Sequence, residues 1–92
     1  MIIRILTEGQ YDVADEALAR LNQLDVTLEA AVEAGDEAAF ASALAELLGG
    51  VRTVGVAHPA DSLDESDLIL PPADATLEQV RAMLTEDGLI PG

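Results

Sequence analysis

Two apolar stripes of helical period, separated by a single Gly-Asp step, constrain this chain most. Ala17, Leu21, Leu24, Leu28 and Ala31 recur at spacings of four and three, and Phe40, Leu44, Leu47, Val51 and Val54 follow the same rule. A helix with one apolar face must bury that face against another element. The connection Gly35-Asp36 is so short that the two helices should fold back on each other as an antiparallel αα-hairpin. The first helix should run from Asp15 to about Ala34, with Asp15 and Glu16 at the positive end of its dipole and Gly35 as its stop. Asp36 suits the N-cap of the second. Gly49-Gly50 interrupts the second stripe, and at about 1 kcal/mol per Gly relative to Ala the helix is expected to bend or fray there.

Outside the two stripes the period changes. Ile2 to Leu6 is rich in β-branched residues and reads as a buried strand. Glu8-Gly9 supplies a turn in which Gly can take a positive φ, and Gln10 to Val13 reads as a second short strand, giving a β-hairpin. Residues 55–67 lose all periodicity, and Gly55, Pro59, Ser62 and Ser66 among Asp61, Asp64, Glu65 and Asp67 read as a solvated acidic loop. Asp67 to Leu70, stopped by Pro71-Pro72, reads as a short strand suited to the edge of the hairpin's sheet. Thr76-Leu77-Glu78-Gln79 fits a capping box, and Leu77, Val80, Met83 and Leu84 form the apolar face of a last helix that Gly88 should end. A short apolar tail, Leu89-Ile90-Pro91-Gly92, follows. The expected fold is one α+β domain over residues 1–92: a β-hairpin plus a short third strand, packed with an αα-hairpin and a C-terminal helix, in the order β-β-α-α-β-α.

Charge excludes several functions. Eighteen acidic side chains face four basic ones, for a formal charge of -14, and the positive charges are Arg4, Arg20, Arg52 and Arg81 without a single Lys. Such a surface is repelled by phosphate backbones and anionic headgroups, so direct nucleic-acid or membrane binding is not expected. A basic protein partner is electrostatically suitable, while solubility or salt adaptation accounts for the same acidity in a second way. With no Cys and one His, the chain offers neither disulfides nor a multi-histidine metal site of its own. The opening apolar run is too short for a signal peptide, and no run approaches the length of a membrane span, so a cytoplasmic setting is expected.

Chemistry-bearing motifs are few. Glu29-Glu33 and Glu33-Glu37 are acidic pairs at helical spacing, but they fall opposite the leucine stripe and read as a solvated face. Asp61, Asp64, Glu65 and Asp67 lack the central Gly and the ligand spacing of a calcium loop. His58 has Asp61 near it in sequence but no nucleophile elbow, and reads as a loop residue. Gly49-Gly50 lacks the Lys and the spacing of a phosphate loop. No catalytic residue, cofactor or metal is expected, and the chain reads as a non-enzymatic domain that binds another protein. Val26, Leu48, Val56, Leu63 and Leu89 fall off the main stripes and are the candidates for a partner-binding patch.

Met1-Ile2-Ile3-Arg4-Ile5, Glu8-Gly9-Gln10-Tyr11, Leu21-Asn22-Gln23-Leu24-Asp25, the stretch from Asp67 to Glu78 and the closing Gly88-Leu89-Ile90-Pro91-Gly92 resemble the PspA-associated protein family, PspAA. The resemblance covers nearly the whole chain. It implies a prokaryotic accessory protein of the phage-shock envelope-stress response, whose partner is PspA, a coiled-coil protein acting at the inner face of the membrane. It would then reach the membrane only through PspA. The alternatives are a small enzyme subunit whose active site a partner chain completes, and an acidic mimic that blocks a nucleic-acid-binding protein. A carboxylate pKa raised on ligand binding would mark the former, and competition with DNA the latter.

Overall fold

The computed structural model of the protein describes residues 1–57 and 67–84. Four strands and three helices make up these residues: β1 (Ile2–Ile5), β2 (Gly9–Asp12), α1 (Asp15–Ala34), α2 (Glu37–Val54), β3 (Val56–Ala57), β4 (Leu68–Leu70) and α3 (Leu77–Met83). The expected α+β order holds, with a two-residue strand added after α2. That strand corrects the reading of residues 55–67 as loop throughout: Val56 pairs with Asp12 and Ala57 with Tyr11. Two residues are too few to show a period, so nothing in the sequence separated them from the loop around them. Residues 58–66 lie outside the described residues.

The sheet runs β3-β2-β1-β4. β1 and β2 are antiparallel, and β4 joins the free edge of β1 in parallel, as an edge strand before Pro71. Period-2 alternation assigns its two faces. Ile3, Ile5, Val13 and Leu70 point inward and are buried with Leu21, Leu28, Leu44, Leu47 and Val51 in one core. The helices therefore form one layer and the sheet another.

Local chemistry fixes the joints. At the hairpin turn the Glu8 amide donates to the Ile5 carbonyl (3.0 Å), with Thr7 at φ 68 and Gly9 at φ 148. Gly9 fulfils its expected role, while Thr7 is a β-branched residue held in the left-handed region that Gly or Asn adopts at less cost. Gly35 ends α1 at φ 68, its amide and that of Asp36 reaching back to Val32 and Ala31. Asp36 then caps α2 by accepting from the Ala39 amide at 3.1 Å. Around α3, the Thr76–Gln79 capping box is complete. α1 has no basic residue in its own last turn; Arg81 of α3 instead donates to the Val32 carbonyl at 3.0 Å, where the helix dipole favours a cation. α3 stops at Met83, short of the expected end at Gly88, because Leu84 takes extended dihedrals. Residues 85–92 lie outside the described residues.

α2 runs unbroken through Gly49-Gly50 to Val54, so it does not fray there. A Cβ on Gly50 would stand 3.1 Å from Leu24 Cδ1 and 3.2 Å from Leu21 Cδ2, so the missing side chain lets the two helices approach closely. Tertiary packing thus overrides a locally unfavourable residue. Leu24 is half-buried and Val54 lies at the margin of exposure, so both stripes are narrower than the sequence indicated. Asp25 is buried on α1 despite its charge, and like buried Gln10 on β2 it is engaged with a partner.

Leu44 is 2 % exposed at the centre of the αα-hairpin. Leu44→Ala should lower the unfolding free energy in urea by about 2–5 kcal/mol, against less than about 0.5 kcal/mol for the exposed control Val26→Ala. Equal midpoints for the two variants would show the core is misplaced. Gly55 joins α2 to β3, and a Cβ there would meet the Val51 carbonyl oxygen at 2.7 Å and Tyr11 Cβ at 2.9 Å. Gly55→Ala should therefore cost about 1–3 kcal/mol in the same assay, and a neutral result would contradict this tight joint.

Candidate partner-binding surface

Ile3 and Ile5 are held inward, so the residues between them are held outward. The register places two rows across the outer face: Val56, Asp12 and Ile2, then Gln10, Arg4 and Ile69. Val56 is 71 % and Ile69 49 % exposed, while Ile2 is half-buried. Arg4 stands directly between Ile69 and buried Gln10. Its guanidinium is exposed and makes no ion pair or hydrogen bond among the described residues. Asp67 borders the face at β4; its carboxylate accepts from the Ile2 amide at 2.8 Å and its own amide donates to the Ile2 carbonyl at 2.7 Å. The result is a mixed apolar and polar surface opposite the helices, carried on rigid strands. It offers contact area and a cation with no ion-pair partner among the described residues.

The described members of the proposed patch, Val26, Leu48 and Val56, are not brought together. Val56 lies on this outer face, but Val26 is 64 % exposed on α1, in the opposite layer. Leu48 is 0 % exposed and belongs to the core, which corrects its assignment to a surface patch. It falls beside Leu47 on a buried side of α2 broader than one stripe, with Phe40, Ala43, Leu44 and Val51. Leu63 and Leu89 lie outside the described residues, as do His58 and Asp61. Glu33 and Glu37 are exposed as expected, whereas Glu29 is half-buried. The short strand read over Asp67 to Leu70 shows no period that would mark Ile69, and reading Ile2 to Leu6 as one buried strand hides the outward side chains of Ile2 and Arg4. The lone charge in that run was the available signal for a strand with one open face.

A second cluster ties the hairpin turn to α2. Arg52 grips Glu8 with two donors, Nε to Oε2 at 2.8 Å and Nη2 to Oε1 at 2.5 Å, while the Tyr11 hydroxyl donates to Oε2 at 2.8 Å. The Arg52 hydrogen bond, then that from Tyr11, holds the Glu8 carboxyl below its ordinary value of 4.5. The same bond to Glu8 pushes the Tyr11 phenol above 10.0. Three donors thus converge on the carboxylate, two on Oε2 and one on Oε1, and make it a clamp between the hairpin turn and α2. Further recesses among the described residues include an apolar cleft of about 440 Å³ lined by Leu6, Pro71, Pro72 and Met83, a groove over Leu24 and Gly50 between Arg20 and Glu46, and a polar recess lined by Asp36, Glu37, Thr76 and Arg81. Among the described residues no group of three or more His, Cys, Asp or Glu could hold a metal ion.

A lowered carboxylate pKa stabilises the fold above the unfolded value and loses that contribution as pH falls through the folded value. The stability gap between the parent and Glu8→Gln should therefore be constant above about pH 5 and close as the pH drops below 4.5. Side-chain exposures of 31 % for Glu8 and 40 % for Arg52 keep the gap to about 0.5–1 kcal/mol. Urea midpoints taken from pH 7 to pH 3 check this; a gap that widens in acid would show the clamp is wrongly assigned.

Comparison with known proteins bears on the whole chain. No curated protein and no solved structure matches it. The family model described as PspA-Associated protein matches residues 1–92. The chain therefore belongs to the PspA-associated protein family, PspAA.

Proposed function

We propose that this protein is a non-enzymatic accessory protein of the phage-shock envelope-stress response and acts by binding PspA. The observation that carries the reading is the family match over the full 92 residues, since the family is described by its association with PspA. The architecture supports it. The helices and the inner sheet face are consumed by one core, and the outer sheet face is left with apolar side chains in view. A domain this small has little core to spare for a dry catalytic pocket, but it has ample surface for an interface.

The proposal extends to location. Among the described residues no helix is long and apolar enough to cross a membrane. A formal charge of -14 opposes adsorption to anionic lipid, so the protein would meet the inner membrane only by way of PspA. Acidic side chains exposed on the helices, among them Glu33, Glu37 and Glu46, would steer it toward basic regions of that partner, with an on-rate that falls as salt rises.

Cosedimentation with anionic liposomes at low salt, where electrostatic effects are largest, tests both statements. The purified chain should stay in the supernatant alone and move to the pellet when PspA is added. Sedimentation of the chain alone would contradict the charge argument, and failure to sediment with liposome-bound PspA would remove the function proposed.

A further inference from the structure

We infer that the outer face of the sheet, centred on Arg4, is the surface that docks PspA, and that PspA presents there an apolar strip carrying a carboxylate. The inference rests on the function proposed above and adds the surface and the chemistry of its occupant.

Charge identifies the occupant. The chain carries only four cations among 18 acidic side chains. Arg52 is bound to Glu8, Arg81 donates to the end of α1, and Arg20 stands exposed on α1 beside the groove that Glu46 also lines. Arg4 has an acidic chain around it and still meets no carboxylate among the described residues. Its place in the middle strand pair keeps it there: Ile69 stands on one side and Gln10 on the other, with Ile2 next along β1. An arginine framed by apolar side chains gains most when a partner both excludes water and supplies a planar carboxylate, which is why Arg is enriched at the energetic centre of interfaces. At one end of the face Asp12 pairs with the N-terminal amine at 3.7 Å and Asp67 accepts from the Ile2 amide, so the acidic groups there are already engaged within the chain. A second copy of the chain fits poorly, because two surfaces of formal charge -14 repel each other.

The apolar part of the site is equally placed by the fold. Ile69 and Val56 sit on the two outer strands of the sheet, so a partner strip must cross all four strands to cover both. Such a strip would bury Arg4 at its middle. Val26, on the opposite layer, would remain in solvent.

Titration calorimetry of the full chain against purified PspA tests the assignment, with melting temperatures as the folding control. Arg4→Glu and Ile69→Lys should each weaken binding by roughly tenfold or more with melting unchanged, as removal of interface-centre residues does. Arg4→Lys should retain part of the affinity, and Val26→Lys should bind like the parent. If the sheet variants bind like the parent, or if Val26→Lys alone loses affinity, the surface is wrong while PspA binding stands. No binding by the parent itself would overturn the proposed function and this occupant together. Sedimentation equilibrium adds the remaining case: self-association of the parent that Arg4→Glu abolishes would give the face to a second copy and overturn the inference.

Discussion

Burial of one face of the sheet against the αα-hairpin is the constraint from which the rest of this structure follows. Ile3, Ile5, Val13 and Leu70 are essentially removed from water by Leu21, Leu28, Leu44, Leu47 and Val51. Because a strand's side chains alternate strictly, committing Ile3 and Ile5 to the core also commits Ile2 and Arg4 to the other side. The outer face is thus a consequence of the core and cannot drift in register without exposing the isoleucines. A small domain with a thin stability margin gains a rigid display surface in this way at no further cost in ordered chain.

The joints serve that same packing. Gly50 lets α1 and α2 close on each other, and Gly55 lets the chain pass tightly from α2 to the sheet past Tyr11. Arg52 ties α2 to the hairpin turn through Glu8, and Arg81 ties α3 to the end of α1. Two of the four cations thereby become structural, which is a large share in a chain so short of positive charge. Several of the described acidic side chains, Glu33, Glu37 and Glu46 among them, stand at exposed positions of the helices.

Much of this was legible in the sequence, because it depended on periodic or strongly local signals. The two leucine stripes, the Gly35 stop, the Asp36 cap and the Thr76–Gln79 box each have a short-range physical cause, and each stands where expected. The misreadings share a different origin, namely contacts distant in sequence. Gly50 reads as a helix breaker until Leu21 and Leu24 are seen against it. Leu48 reads as surplus until the breadth of the buried side of α2 is seen, and Val56 and Ala57 read as loop until β2 is placed beside them. Arg4 shows the same limit at the candidate surface. Its residue type was plain, but its isolation between Ile69 and Gln10 depends on pairings 65 and 6 positions apart along the chain.

The central claim is that one face of the sheet is core and the other receives the partner. Methyl NMR of the isotope-labelled chain, recorded with and without PspA, reads both faces in one experiment. The account predicts that the methyl signals of Ile2, Ile69 and Val56 shift or broaden on adding PspA, while those of Ile5, Leu48 and Val26 keep their positions. Perturbation centred on Val26 with the outer-face methyls unchanged would contradict it.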